Sequence, residues 1–282
     1  MGILDAQAVE LGYDGTTVVR DLDCSLEKGR ITAFIGRNGC GKSTLLRALA
    51  RLMKPTAGTV VLDGKGISTL PTKEVAKRVA VLPQSAIAPE QWSVTDLVAQ
   101  GRYPHQAFFN QWSPEDEAAI EKALALTQLS ALADRRVDSL SGGQRQRAWI
   151  AMALAQETEI LLLDEPTTFL DMAHQIEVLE VLTELNRSEG RTIAMVVHDL
   201  NQAARYAHHV VAIADGRIHS EGAPTTILTE DMVRDVFGIK CRIVDEPGVG
   251  RVCMPICAVE PAAQEAGEPA HADVQAASAT GA

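Results

Sequence analysis

Ile31-Thr32-Ala33-Phe34-Ile35-Gly36-Arg37-Asn38-Gly39-Cys40-Gly41-Lys42-Ser43-Thr44 is the stretch on which the fold turns. Its first five residues are apolar or β-branched with no polar alternation, which predicts a strand buried on both faces of a parallel sheet. The strand runs straight into a loop that fits G-x-x-x-x-G-K-[ST] from Gly36 to Ser43. Gly36, Gly39 and Gly41 let backbone N–H groups converge on phosphate oxygens that a Cβ would hold off. Lys42 is placed to bridge the β- and γ-phosphates, and the Ser43 hydroxyl to ligate Mg²⁺. Asn38, Cys40 and Thr44 complete the set of nucleotide-binding positions in this loop. Leu45, Leu46, Leu49, Leu52 and Met53 then recur at helical spacing, so phosphate would meet a helix N-terminus. The stretch predicts a nucleoside triphosphate site in an α/β fold.

A site of this kind takes its second Mg²⁺ ligand from an acid at the end of a neighbouring strand. Ile160-Leu161-Leu162-Leu163 reads as that strand, and Asp164 follows it. Glu165, the next residue, is the natural general base for an attacking water.

Between these two regions lies Leu140-Ser141-Gly142-Gly143-Gln144. This segment resembles the signature of ABC-type ATPases, and other motifs of that family stand around it in the right order. Tyr13 resembles the aromatic residue that stacks on adenine. Gln84, after Val79-Ala80-Val81-Leu82-Pro83, resembles the Q-loop glutamine that senses Mg²⁺ and contacts the transport partner. Asp171 resembles the D-loop acid, and His198, after Ile193 to Val197, the switch histidine at the γ-phosphate. The resemblance implies catalytic roles for Glu165, His198, Lys42 and Gln84. It implies Mg²⁺ ligation by Ser43, Gln84 and Asp164, and nucleotide contacts from Ser141, Gly142, Gly143, Gln144 and Asp171. It covers about residues 3–255. One departure is Phe169, where the family usually carries a small residue before Leu-Asp.

The implied fold is α/β: a RecA-like P-loop core with an antiparallel β subdomain and a helical subdomain. The ATPase domain is expected over 1–262, with the helical subdomain at about 85–140 and a C-terminal strand and helix region at about 222–262. Residues 263–282 contain no aromatic residue and are rich in Ala, Glu, Gly and Pro, which predicts a disordered tail. Asp14-Gly15, Lys28-Gly29 and Asp215-Gly216 mark turns, and Thr59 to Gly64 a hairpin arm. Ser113-Pro114-Glu115-Asp116 is a helix start, after which Ile120, Ala123, Leu124 and Thr127 share a face. Ser141 caps a further helix.

The 282 residues, 46% of them hydrophobic, allow one large domain, and a net charge of −11 argues against a general nucleic-acid binder. Five cysteines without a C-x-x-C pair do not form a disulfide framework. Cys40 lies inside the phosphate loop, so thiol modification there is expected to block nucleotide. The start lacks the basic and apolar regions of a signal peptide, and no stretch reaches the length of a membrane span.

In the resembled family, a second copy packs head to tail so that the signature of one chain closes over the phosphates of the other. ATP and Mg²⁺ are the implied cofactors, and integral membrane permease subunits and a substrate-binding protein the implied partners. The implied location is the cytoplasmic face of the inner membrane. Gly101-Arg102-Tyr103-Pro104-His105 is similar to a segment of importers for ferric siderophores and related metal chelates. Arg147-Ala148-Trp149-Ile150-Ala151-Met152 and Leu170-Asp171-Met172-Ala173-His174-Gln175 are similar to the same group. Heme and vitamin B12 importers share much of this sequence, and a soluble ABC ATPase outside transport is the broader alternative. Permease contacts are expected around Gln84 to Tyr103, with Trp92 a packing residue.

Overall fold

Five Val-, Ile- and Leu-rich runs form the parallel part of a central sheet in the computed structural model, which describes residues 2–84, 88–106 and 112–259. In chain order, β1 (Leu4–Tyr13) and β2 (Thr16–Leu26) form a hairpin, β3 (Ile31–Ile35) enters the phosphate loop, and α1 (Lys42–Leu49) leaves it. β4 (Ala57–Leu62) and β5 (Lys65–Gly66) complete an antiparallel sheet of order β2-β1-β4-β5. Then come α2 (Thr72–Ala76), β6 (Val79–Leu82), α3 (Val94–Ala99), α4 (Pro114–Leu126) and α5 (Gly142–Ala155). β7 (Ile160–Asp164), α6 (Met172–Glu189), β8 (Thr192–Val196), α7 (Leu200–Tyr206), β9 (His209–Ala214) and β10 (Arg217–Gly222) follow. The described chain closes with α8 (Pro224–Ile227), α9 (Glu230–Phe237), β11 (Ile239–Glu246) and β12 (Gly250–Ala258). The central sheet has the order β10-β9-β3-β8-β7-β6, and only β10 runs against its neighbour.

Burial on both faces explains the unbroken apolar runs. Along β7, Leu161 and Leu163 enter a core shared with the helices, while Ile160 and Leu162 enter a second core beneath the antiparallel sheet. Ile193 and Met195 against Ala194 and Val196 repeat the alternation on β8. Each such Leu, Ile, Val or Met side chain contributes about 1.5–3 kcal/mol of burial free energy. The parallel register pairs Phe34 with Val196, and Val196 with Asp164, so β3, β8 and β7 end at one edge of the sheet. That edge is where an open α/β sheet presents its ligand crevice.

Three hairpin turns are built on Asp-Gly pairs. Asp14-Gly15, Asp63-Gly64 and Asp215-Gly216 all have positive φ at both residues, from +47° to +80°, as tight hairpin turns require. The helix after the phosphate loop is shorter than its leucine spacing predicts. α1 ends at Leu49, Arg51 takes φ +59° and turns the chain towards β4, and Leu52 is left 64% exposed rather than on the buried face. Met53 still packs against the second core.

α3, α4 and α5 pack on one another. Ser113 caps α4 as expected, Asp116 returns a bond to the Ser113 N–H, and Ile120, Ala123, Leu124 and Thr127 are buried. The segment Gly101 to His105 fastens this helical unit. A Cβ on Gly101 would fall 2.2 Å from the Met152 carbonyl oxygen, so α5 admits only glycine there. Arg102 donates to Asp116 at 2.8 Å, to the Ala155 carbonyl at 2.8 Å and to Glu157 at 2.9 Å. His105 Nε2 bonds the Gln156 carbonyl oxygen at 2.8 Å. Tyr103, held between these anchors, is 74% exposed. Trp92 is partly buried against the helical core, as a packing residue. Residues 85–87 of the expected permease-contact region and the tail at 263–282 lie outside the described residues.

Candidate nucleotide site

The loop after β3 has little freedom. Gly36 has φ +147°, and a Cβ there would stand 2.2 Å from the Ile213 carbonyl oxygen. Gly41 caps α1 at φ +108°, and its Cβ would strike Val19 at 2.8 Å. Inside this loop Lys42, 5% exposed, donates to the carbonyl oxygens of Gly36 and Arg37, each at 2.8 Å. Its ammonium also lies 3.7 Å from Cys40 Sγ. The lysine therefore holds the loop's shape from within while its charge stays at the mouth of α1.

A cleft of about 550 Å³ opens over this loop. Asn38, Gly39, Gly41, Lys42, Ser43 and Thr44 form its floor. Gln84, Glu165 and His198 form one wall, and Tyr13 with Val18 the other. Tyr13 is 44% exposed at the end of β1, and its hydroxyl accepts from Arg47 at 3.2 Å. Val18 is a lining residue for which the motifs give no signal.

Ser43 Oγ donates to Asp164 Oδ1 at 2.8 Å across 121 positions of sequence. Ser43 lines the cleft and Asp164 lies buried directly behind it, so the pair offers hard oxygen donors beside the phosphate loop. Mg²⁺ takes one or two protein oxygens and completes its shell with phosphate and water, so this donor set fits it. Among the described residues no cluster of three or more His, Cys, Asp or Glu side chains could hold a metal by itself.

Glu165 sits in the left-handed region at φ +55°, a strained conformation for a side chain this large. Three groups converge on its carboxylate. His198 Nε2 lies 2.7 Å from Oε1, Gln84 Nε2 donates to Oε1 at 2.8 Å, and Thr168 Oγ1 donates to Oε2 at 3.0 Å. The two adjacent acids are pushed in opposite directions. Burial raises Asp164 above the ordinary carboxyl range, aided by the neighbouring Glu165 charge and opposed by the Ser43 hydrogen bond. Burial also works against Glu165 ionising, but His198, Thr168 and Gln84 outweigh it and hold that carboxyl below its usual range. A carboxylate kept ionised beside a phosphate loop can orient water and accept its proton. Thr168 was not singled out from the sequence, although it stands in the same short segment as Glu165.

The signature residues lie elsewhere. Ser141 caps α5, its Oγ accepting from Gln144 N–H at 3.2 Å, while Gln144 Oε1 accepts from Ser141 N–H at 3.2 Å. Ser141 and Gly142 are exposed, and none of Ser141, Gly142, Gly143, Gln144 and Asp171 lines the phosphate-loop cleft. Gly142 instead borders a separate cavity of about 330 Å³ with Gln84, Trp149 and Phe169. Asp171 caps α6 by accepting from His174 N–H at 2.9 Å and meets the His174 ring at 2.7 Å. The His174 backbone and ring together hold the Asp171 carboxyl below its usual range.

The ABC transporter family model matches residues 19–168. A probable siderophore transport system ATP-binding protein of Bacillus subtilis (strain 168), YusV, is 58% identical over 256 residues, covering 90% of this chain and 93% of that protein. The ferric enterobactin transport ATP-binding protein FepC of Escherichia coli (strain K12) is 53% identical over 247 residues, covering 88% and 91%. Among solved structures, an ABC transporter of metal-chelate type in an inward-facing conformation superposes with a TM-score of 0.77 at 30% identity, covering 90% of this chain and 97% of that one. The phosphate loop, the convergent wall on Glu165, the separately exposed signature helix and these likenesses together place the chain in the ABC transporter family, as an ATP-binding cassette.

Proposed function

We propose that this chain is the ATP-hydrolysing subunit of an importer for a ferric siderophore or a related iron chelate, working through a separate membrane permease. The convergence of His198, Gln84 and Thr168 on the Glu165 carboxylate beside the phosphate loop carries the ATPase reading. The cargo reading rests on a gradient of likeness. Ferric-chelate relatives run from 58% down to 45% identity, while a cobalamin import ATP-binding protein of Halobacterium salinarum reaches 41% and is covered over 62% of its length.

In this reading Tyr13 stacks on adenine, and Gly36 to Thr44 hold the phosphates with Lys42 as the cation. Ser43 and Asp164 hold Mg²⁺, with Gln84 at the same wall. The ion supplies charge neutralisation for the phosphates when bound. Glu165 orients water and takes its proton, and His198 braces Glu165 and reaches the γ-phosphate. Most of the rate comes from this positioning and from electrostatics.

The position of the signature helix supports a head-to-tail pair. Ser141, Gly142 and Gly143 are turned away from their own cleft and available to a second copy's phosphates through the N-terminus of α5. A related cassette, MJ0796, has been solved as a dimer and aligns with this chain at a TM-score of 0.72 and 26% identity. Among the described residues no helix is long and apolar enough to cross a membrane. In this reading the permease is another polypeptide and the subunit sits against its cytoplasmic face. A substrate-binding protein delivers the chelate to that permease.

Uptake of radio-iron presented as several ferric siderophores, in source cells carrying Lys42→Ala, tests the proposal. Loss of uptake for one siderophore class with radio-cobalamin uptake intact supports it. Intact iron uptake with lost cobalamin uptake moves the cargo to cobalamin and overturns the iron reading.

A further inference from the structure

Two glutamines to which the motifs assign no role join the segment around Phe169 to the helix behind His198. Gln202, on α7, donates from Nε2 to Gln175 Oε1 at 2.8 Å. Gln175, on α6, spends its own Nε2 on two backbone carbonyl oxygens, Leu170 at 3.1 Å and Thr167 at 3.3 Å. Thr167 Oγ1 closes the ring by donating to Gln202 Oε1 at 3.5 Å. Asp199, next to His198, caps α7 and accepts from Gln202 N–H at 3.2 Å. Gln175 and Gln202 line one cavity of about 180 Å³ together with Glu165, Thr168 and His198.

The gripped carbonyls bracket a strained residue. Phe169 stands between Thr167 and Leu170 at φ +66° with 77% of its surface exposed. Such a conformation persists only where its surroundings hold it, and here Gln175 supplies the hold from both sides. The same segment supplies Thr168 to Glu165 and packs Leu170 against the signature helix, where a Cβ on Gly143 would meet Leu170 Cδ2 at 3.2 Å. A side-chain amide fits this place because it donates to two carbonyls and accepts from a third group at once. A closed polar ring also stiffens its members together, so removing one partner strands the rest.

We infer that Gln175 and Gln202 form a positioning unit that fixes the Thr167–Leu170 segment relative to His198, and through it the Glu165 carboxylate and the surface offered to the second copy. The pair touches no reacting atom. The inference rests on the ATPase reading above.

The test uses the full chain and compares Gln175→Glu, Gln202→Leu and the double variant. Gln175→Glu keeps the shape and the acceptor for Gln202 but removes both bonds to the backbone carbonyls. Gln202→Leu removes the bridge and leaves those bonds in place. Expected is a kcat for ATP hydrolysis about tenfold lower in Gln175→Glu, with KM and thermal midpoint close to the parent. The double variant should fall no further than the worse single one, because groups acting as a unit are not additive. Rates of both single variants within about twofold of the parent, or losses that multiply in the double variant, overturn the inference. A fall in kcat that merely follows a falling thermal midpoint also overturns it. If Gln175→Glu does not fold, Gln202→Leu decides alone: a kcat several-fold lower at an unchanged KM and thermal midpoint supports the inference, and a rate within about twofold of the parent overturns it. A parent chain that turns over no ATP sinks the underlying reading instead, which keeps the two failures distinct.

Discussion

His198 Nε2 lies 2.7 Å from Glu165 Oε1, joining the end of β8 to the end of β7 directly above the phosphate loop. The contact is possible because the parallel register sets Asp164 beside Val196, so the residues following each strand emerge side by side. It also compensates the burial that would otherwise raise Glu165, and so keeps that carboxyl ionised.

Removing the imidazole should therefore change a pH profile as well as a rate. In His198→Ala the Glu165 carboxyl loses its nearest partner and titrates higher. The acid limb of the kcat/KM profile for ATP should move to higher pH, and kcat should fall by about 10²-fold or more. A depressed carboxyl stabilises the fold above its unfolded pKa of about 4.3, and that stability is lost as pH falls through the lower folded value. The stability difference between the parent and His198→Ala should accordingly shrink below about pH 4. An unmoved acid limb would show that Glu165 is not the titrating base.

Replacing the base itself separates binding from chemistry. Glu165→Gln keeps the side chain's shape but cannot accept a proton, so kcat should drop about 10²–10⁴-fold while ATP affinity stays near the parent value. With hydrolysis blocked, the ATP-bound pair should persist, and light scattering should report a mass near twice that of the chain. Monomer at every protein concentration in saturating ATP would remove the head-to-tail arrangement.

The sequence revealed the chemistry of the site more readily than its supports. Lys42, Ser43, Asp164 and Glu165 announce themselves because phosphate and water demand those residue types at those spacings. The β-core was equally legible, since strands buried on both faces leave runs such as Ile160 to Leu163 without alternation. The end of α1 was not, because a left-handed Arg51 overrides a leucine spacing that continues past it. Gln202 carries no local signal either, and Gln175 shows only as the last residue of the family-like segment from Leu170, with nothing to say what it holds. Their roles come from a contact across 27 positions of sequence that exists only because the fold brings the first turns of α6 and α7 together. Gly101 to His105 was visible as a family-like segment, yet its physical work, fastening α5 and α4, appears only when Asp116 and Glu157 are seen around Arg102.

That fastening predicts a stability effect remote from catalysis. Arg102 and Asp116 are 4% and 6% exposed, so the 2.8 Å pair is nearly cut off from water. Burial opposes the ionised Asp116, but Arg102 and the Ser113 backbone and hydroxyl outweigh it and keep the carboxyl below its usual range. Arg102→Met would strand the carboxylate and should cost about 3–5 kcal/mol in denaturant unfolding. Because Asp116 is depressed in the parent, the deficit should be complete at neutral pH and narrow as the acid is protonated below about pH 4. ATP affinity should hold at temperatures where the variant stays folded. A deficit under about 1 kcal/mol would mean that solvent reaches the pair.

Cysteine reactivity offers a probe of the phosphate loop that needs no substitution. Cys257 is exposed, whereas Cys40 is 8% exposed, with its Sγ tucked 3.7 Å from Lys42 Nζ. Cys24 and Cys253 are buried as well, and burial is the main reason both thiols are pushed up to about 12, leaving almost no thiolate at neutral pH. N-ethylmaleimide followed by peptide mass spectrometry should find Cys257 labelled first and Cys40 much later, and ATP should slow Cys40 further while leaving Cys257 unchanged. Chains labelled at Cys40 should lose ATP binding, since the adduct would occupy the space under Gly36, where even a Cβ would come within 2.8 Å of the sulfur. Labelling of Cys40 as fast as Cys257 would mean that the loop opens readily in solution, and Lys42 would then have to reach the phosphates from a mobile segment rather than from a preset one.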